Sequence, residues 1–110
     1  METLVTTHHV VEIYLPLTSN DGHPYGREAF DRIRAELLDR FGGVTFFSRS
    51  PAEGLWSEGS GQGADRDEIV VVEVLVEHLD REWWNAYRKD LERRLQQDEV
   101  LMRSFSVTKL

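Results

Sequence analysis

The order of elements along this chain predicts an α+β domain, a four-stranded antiparallel sheet with two helices on one face. Three observations carry that prediction. Ile69 to Glu77 reads Ile-Val-Val-Val-Glu-Val-Leu-Val-Glu, a β-branched run that is apolar on both alternating faces, as a central strand covered on two sides should be. Two other segments, from Gly26 or Arg27 to Phe41 and from Arg81 to about Gln97, repeat apolar residues at three- and four-residue spacing, the period of an amphipathic helix. Strand, helix, strand, strand, helix and strand then succeed one another within 110 residues, which is the split βαβ order.

The first strand is His9 to Leu15, with Val11, Ile13 and Leu15 on one face and Val10, Glu12 and Tyr14 on the other. Pro16 cannot donate to a ladder and Ser19-Asn20-Asp21-Gly22-His23-Pro24 is a cluster of turn formers, so the strand ends in a loop long enough to rim a cleft. In the helix that follows, Phe30, Ile33, Leu37 and Phe41 form the buried stripe. Gly42 supplies the left-handed position that ends it. Val44 to Arg49 alternates as a second strand, with Thr45, Phe47 and Arg49 sharing a face.

Residues 50–67 change composition: Pro51, Gly54, Gly59, Gly61 and Gly63 stand among Ser, Glu and Asp, and apolar content falls to little besides Leu55 and Trp56. A connection beyond roughly 12 to 15 residues is either functional or flexible. Its second half reads as flexible, whereas Leu55-Trp56 should dock. After the valine-rich strand, Asp80 suits the N-cap of the second helix, and Leu79 with Trp84 fits a hydrophobic staple. Trp84, Tyr87, Leu91 and Leu95 continue that helix's stripe. The last strand, about Glu99 to Thr108, has apolar residues on both faces, and its facing is left open.

Composition bounds the function. The length suits one domain with one core, 1–110, with residues 1–7 as a frayed end. A net charge of −7, with basic and acidic residues interspersed, argues against nucleic acid and anionic membranes as partners. Without cysteine there is no disulfide framework and no thiolate metal site. No stretch approaches the roughly 18 apolar residues of a membrane span, and Met1-Glu2-Thr3-Leu4 does not open a secretory signal, so a cytoplasmic protein is expected. No cofactor is called for.

If alternate valines of the central strand meet the helices together with Val11, Ile13 and Leu15, then Val10, Tyr14, Phe47, Val71 and Leu75 face outward on a sheet with no helix left to cover them. A monomer seldom exposes so large an apolar area. A homo-oligomer is therefore expected, either two sheets packed face to face as in dimeric α+β barrels or three meeting as in PII-like trimers, with the dimer favoured.

Arg40-Phe41-Gly42-Gly43-Val44-Thr45, Pro51-Ala52-Glu53-Gly54-Leu55-Trp56 and Gln97-Asp98-Glu99-Val100-Leu101 together resemble a family of small, uncharacterised bacterial domains. The resemblance covers most of residues 9–108. It implies a ferredoxin-like βαββαβ fold and transfers no activity and no catalytic residue.

The candidate binding or interface residues are Glu12, Tyr14, Arg49, Trp56, Glu73, Leu75 and Arg103. Glu12 and Glu73 fall on adjacent central strands, with Arg103 expected beside Glu12 and Arg49 beside Glu73. Carboxylates balanced by arginine on an apolar face read first as ion pairs between subunits. Two such carboxylates with diverging environments are also what general acid–base chemistry needs, which leaves open a small cofactor-free enzyme with Tyr14, Glu12 or His23 as proton-transfer groups. Trp56 either plugs a gap or walls a small-molecule pocket, and Trp83 is a candidate for the mouth of a cleft. His8 and His9 point to opposite faces, and His23 and His78 lack ligand spacing, so no metal site is predicted. A PII-like sensor with 50–67 as its responsive loop is the third reading.

Overall fold

The computed structural model describes residues 7–49 and 69–110. They form β1 (Thr7–Pro16), α1 (Arg27–Phe41), β2 (Thr45–Arg49), β3 (Ile69–Val76), α2 (Arg81–Leu95) and β4 (Leu101–Thr108). The four strands make one antiparallel sheet in the order β2-β3-β1-β4, the topology expected of a ferredoxin-like domain. Val70 to Val76 runs in the centre beside β1, as its two apolar faces require.

Both helices lie on one side of the sheet. Val11, Ile13 and Leu15 of β1 and Val72, Val74 and Val76 of β3 are buried against Ile33 and Leu37 of α1 and Trp84, Tyr87, Leu91 and Leu95 of α2. This is the core, and its period-2 and period-3.6 stripes are the ones the sequence shows. Each buried aliphatic side chain here contributes on the order of 1.5–3 kcal/mol. Met102 packs on the same core from β4, which settles the facing of that strand. Leu101, Arg103 and Phe105 point to the other side.

The helix ends follow from single residues. Asp80 caps α2 by accepting from the Trp83 amide at 3.1 Å, and Gly42 closes α1 with a φ of 82°, its amide donating to the Leu38 carbonyl. The turn after α2 is less orthodox, since Gln96 takes the left-handed conformation at φ 54° without being glycine. Neighbouring bonds hold it there. Its carbonyl accepts from Asn20 at 3.3 Å, and the Tyr25 hydroxyl donates to the Leu95 carbonyl at 2.7 Å. The loop after β1 is thereby tied to the end of α2.

Between the helices, Trp83 stacks on Tyr87, Phe41 stacks on Trp84, and the Arg40 guanidinium sits 4.4 Å over the Trp83 ring. Trp83 thus belongs to an aromatic cluster between α1 and α2, and no described cleft includes it. Below that cluster the Tyr87 hydroxyl donates to Glu36 at 2.8 Å, and Arg94 joins Glu36 to Asp90, each at 2.8 Å. Burial, followed by the hydrogen bond to Glu36, pushes the Tyr87 hydroxyl well above the usual tyrosine range.

Candidate functional site

The side of the sheet away from the helices is built in rungs set by strand register. One rung is Leu75, Val10 and Phe105; the next is Thr45, Glu73, Glu12 and Arg103; the third is Phe47, Val71, Tyr14 and Leu101. Two apolar rungs therefore enclose a charged one. Phe47, Leu75, Leu101 and Phe105 are 41–51% exposed, large apolar side chains left in water on a single face. Val71 is buried between its neighbours Phe47 and Tyr14, and it is not part of the core on the helix side.

In the charged rung the two carboxylates have different surroundings. Glu12 accepts from Arg103 Nε at 2.8 Å and from the Tyr14 hydroxyl at 3.0 Å, and the Arg103 guanidinium also lies 5.5 Å from the centre of the Tyr14 ring. Bonding to Glu12 raises the Arg103 pKa above its ordinary value, so the guanidinium stays charged. Glu73, directly across from Glu12, has no hydrogen bond or ion pair among the described residues. Like charges facing each other across strands repel. Arg103 offsets that repulsion on one side only.

The register corrects one expectation. Thr45, and not Arg49, stands opposite Glu73; Arg49 lies two rungs further on, opposite Ile69, and its side chain is outside the described residues. Trp56 and the rest of 50–68 also lie outside the described residues. His23 is exposed on the loop after β1, 3.5 Å from Asp21, and no described bond joins it to Glu12 or Tyr14. His8, weighed in the sequence only as a metal ligand and rejected as one, shares the open side of β1 opposite Val107. It is buried, and its Nδ1 has no partner among the described residues.

Two grooves adjoin this arrangement. β2 pairs with β3 only as far as Glu73, so beyond it no described strand pairs with this edge of β3. A groove of about 560 Å³ opens there, with Glu73, Leu75 and Val10 on one wall and Phe41, Gly42, Gly43 and Val44 on the other. The carbonyl end of α1 faces into it and carries the negative end of the helix dipole. With Glu73, that makes a cation-favouring groove with apolar walls. The second groove, about 410 Å³, lies on the helix side between α2 and β4. Among the described residues, no group of three or more histidine, aspartate or glutamate side chains is placed to hold a metal, and no helix is long and apolar enough to cross a membrane.

No protein-family model and no curated protein matches the chain. Among solved structures it is similar to a phage SAM lyase in complex with S-methyl-5'-thioadenosine, at a TM-score of 0.59 and 18% identity, over 99% of this chain and 95% of that one. It is also similar to a phage SAM lyase in the apo state, at a TM-score of 0.51 and 17% identity over the same shares. At these identities the likeness establishes the fold: an α+β domain matched along nearly the whole length of both chains.

Proposed function

We propose that this chain is a homo-oligomeric small-molecule-binding domain whose helix-free sheet face is the subunit contact, and that the groove at Glu73 receives an adenosyl sulfonium or thioether. The carrying observation is the charged rung, an ion-paired Glu12 beside a Glu73 without a partner among the described residues, set between rungs of exposed Leu75, Phe105, Phe47 and Leu101. The apolar rungs give a second copy something to bury, and a symmetric dimer brings the same face to both sides. Covering them lowers the local dielectric around Glu73, which strengthens its attraction for a fixed positive charge such as a sulfonium. The likeness to a SAM lyase that binds S-methyl-5'-thioadenosine supports this choice of ligand class.

A lyase activity is the second reading, favoured by the contrast between the two carboxylates. Arg103 and Tyr14 both donate to Glu12, whereas Glu73 has no bonded partner among the described residues. In such an elimination the carbon–sulfur bond breaks with its electron pair returning to sulfur, the proton on the neighbouring carbon passes to Glu73, and a double bond forms in the departing fragment.

The test is calorimetric titration of the protein with S-adenosylmethionine and with S-methyl-5'-thioadenosine, alongside chromatography of the incubated mixture. Saturable binding that Glu73→Gln weakens supports the binding reading, and the appearance of S-methyl-5'-thioadenosine above the uncatalysed rate supports turnover. Absence of binding of either compound by the folded protein overturns the ligand assignment.

A further inference from the structure

Apart from Arg103, the groove between α2 and β4 is assembled from residues that the open-face reading does not use. Its floor is Val11, Met102 and the buried Trp84, and its rim is Arg81, Asn85 and Arg88, with Ser104 opposite. The three rim residues on α2 are spaced four and three apart, so they project from one side of the helix on successive turns. β4 leaves room for them. Met102 is half-buried by the helix layer, but Ser104 and Ser106 on the same side of the strand are exposed, so the helices stop short of covering β4.

Two features of the arginines set this groove apart from an ordinary charged surface in a chain of net charge −7. Arg81 occupies the first position of α2, where the helix dipole favours negative charge, and it has no ion pair among the described residues. Arg88 is fixed in place. Its Nη1 donates to Glu92 at 2.9 Å, and the same Glu92 oxygen accepts the Val100 amide at 2.9 Å, so one carboxylate ties the guanidinium to the start of β4. Arg103 also borders the groove, but its guanidinium is turned to Glu12 on the other face.

We infer that this groove is an anion site: Arg81, Arg88 and Asn85 hold the carboxylate or phosphate monoester of a small molecule whose apolar body rests on Val11, Met102 and Trp84. Guanidinium forks suit both oxyanions, and a guanidinium already oriented loses less freedom on binding than a mobile one. The assignment is independent of the ligand proposed for the Glu73 groove.

Nuclear magnetic resonance titration of the isotopically labelled full chain tests it, with phenyl phosphate and with benzoate as probes and sodium chloride at matched ionic strength as the reference. The expected result is saturable shifts of amides between Arg81 and Arg88 and between Met102 and Ser104, with whichever probe binds more tightly identifying the head group. Arg81→Glu should weaken that binding about tenfold or more, and it should leave the fold intact because an acidic residue suits a first helical turn. Asn85→Ala, which substitutes the better helix former, is the second variant and should weaken binding without loss of helix signal. Shifts that chloride reproduces, or a titration that Arg81→Glu leaves unchanged, would overturn the site.

Discussion

The two faces of this sheet are made from the same strands and obey opposite rules. On the helix side, Val11, Ile13, Leu15, Val72 and Val74 are all but inaccessible to water and belong to one hydrophobic cluster. On the other, alternate residues of those strands place Glu12, Tyr14 and Glu73 among Val10, Leu75 and Phe105, with the larger apolar groups exposed. A charged rung inside an apolar face is a poor way to stabilise a monomer, because unpaired charge near apolar surface costs more than it returns. It is a reasonable way to specify a partner or hold a ligand. The helix side carries the stability, and the open side is free to carry function.

That division can be broken or sharpened experimentally. Leu91→Ala, at the centre of the helix side, should cost about 2–5 kcal/mol by the usual large-to-small penalty, read as a lowered denaturant midpoint with the slope unchanged. A loss below about 1 kcal/mol would mean that the core is looser than its burial indicates.

Acid should act next, through α2. The Val100 amide, followed by Arg88, holds the Glu92 carboxyl below its ordinary value of 4.5, and bonding to Arg94 holds Asp90 below 3.8. A carboxyl depressed by folding stabilises the native state above its unfolded value, and that contribution disappears as pH falls through the folded value. Melting temperature should therefore drop on acidification below about pH 4.5, and Glu92→Gln should flatten the drop. An identical acid profile in wild type and variant would remove Glu92 from the account. The smallest effect is expected on the open side. Arg103→Gln breaks a pair whose arginine is 59% exposed although Glu12 is only 12% exposed, and should lower the melting midpoint slightly, while altering association or ligand affinity.

The valine-rich run, the Gly42 helix end, the Asp80 cap and the two helix stripes were legible because each rests on local chemistry: β-branching, a left-handed backbone angle, a side-chain acceptor and a 3.6-residue period. What stayed hidden was relational. Alternation tells which face Thr45, Phe47 and Arg49 share but not their rung, because a two-residue slip preserves the face; only the paired strands place Thr45 beside Glu73. The facing of β4 was ambiguous for a similar reason, since apolar residues occur on both sides and Met102 alone reaches the core. Arg81 and Arg88 drew no site assignment from the sequence, and nothing in it announced that the helices would leave Ser104 uncovered. The contrast between Glu12 and Glu73 was half legible: their shared face followed from period 2 and Arg103 was expected beside Glu12, but the Tyr14 bond and the placing of Thr45 opposite Glu73 did not follow from it.

The measurement closest to the heart of this account is sedimentation velocity on wild type and Leu75→Arg across a range of concentrations. The account predicts a wild-type oligomer, with a dimer expected, and a Leu75→Arg monomer with an unchanged circular dichroism spectrum. A wild-type monomer at every concentration, or a folded Leu75→Arg oligomer indistinguishable from wild type, would contradict it.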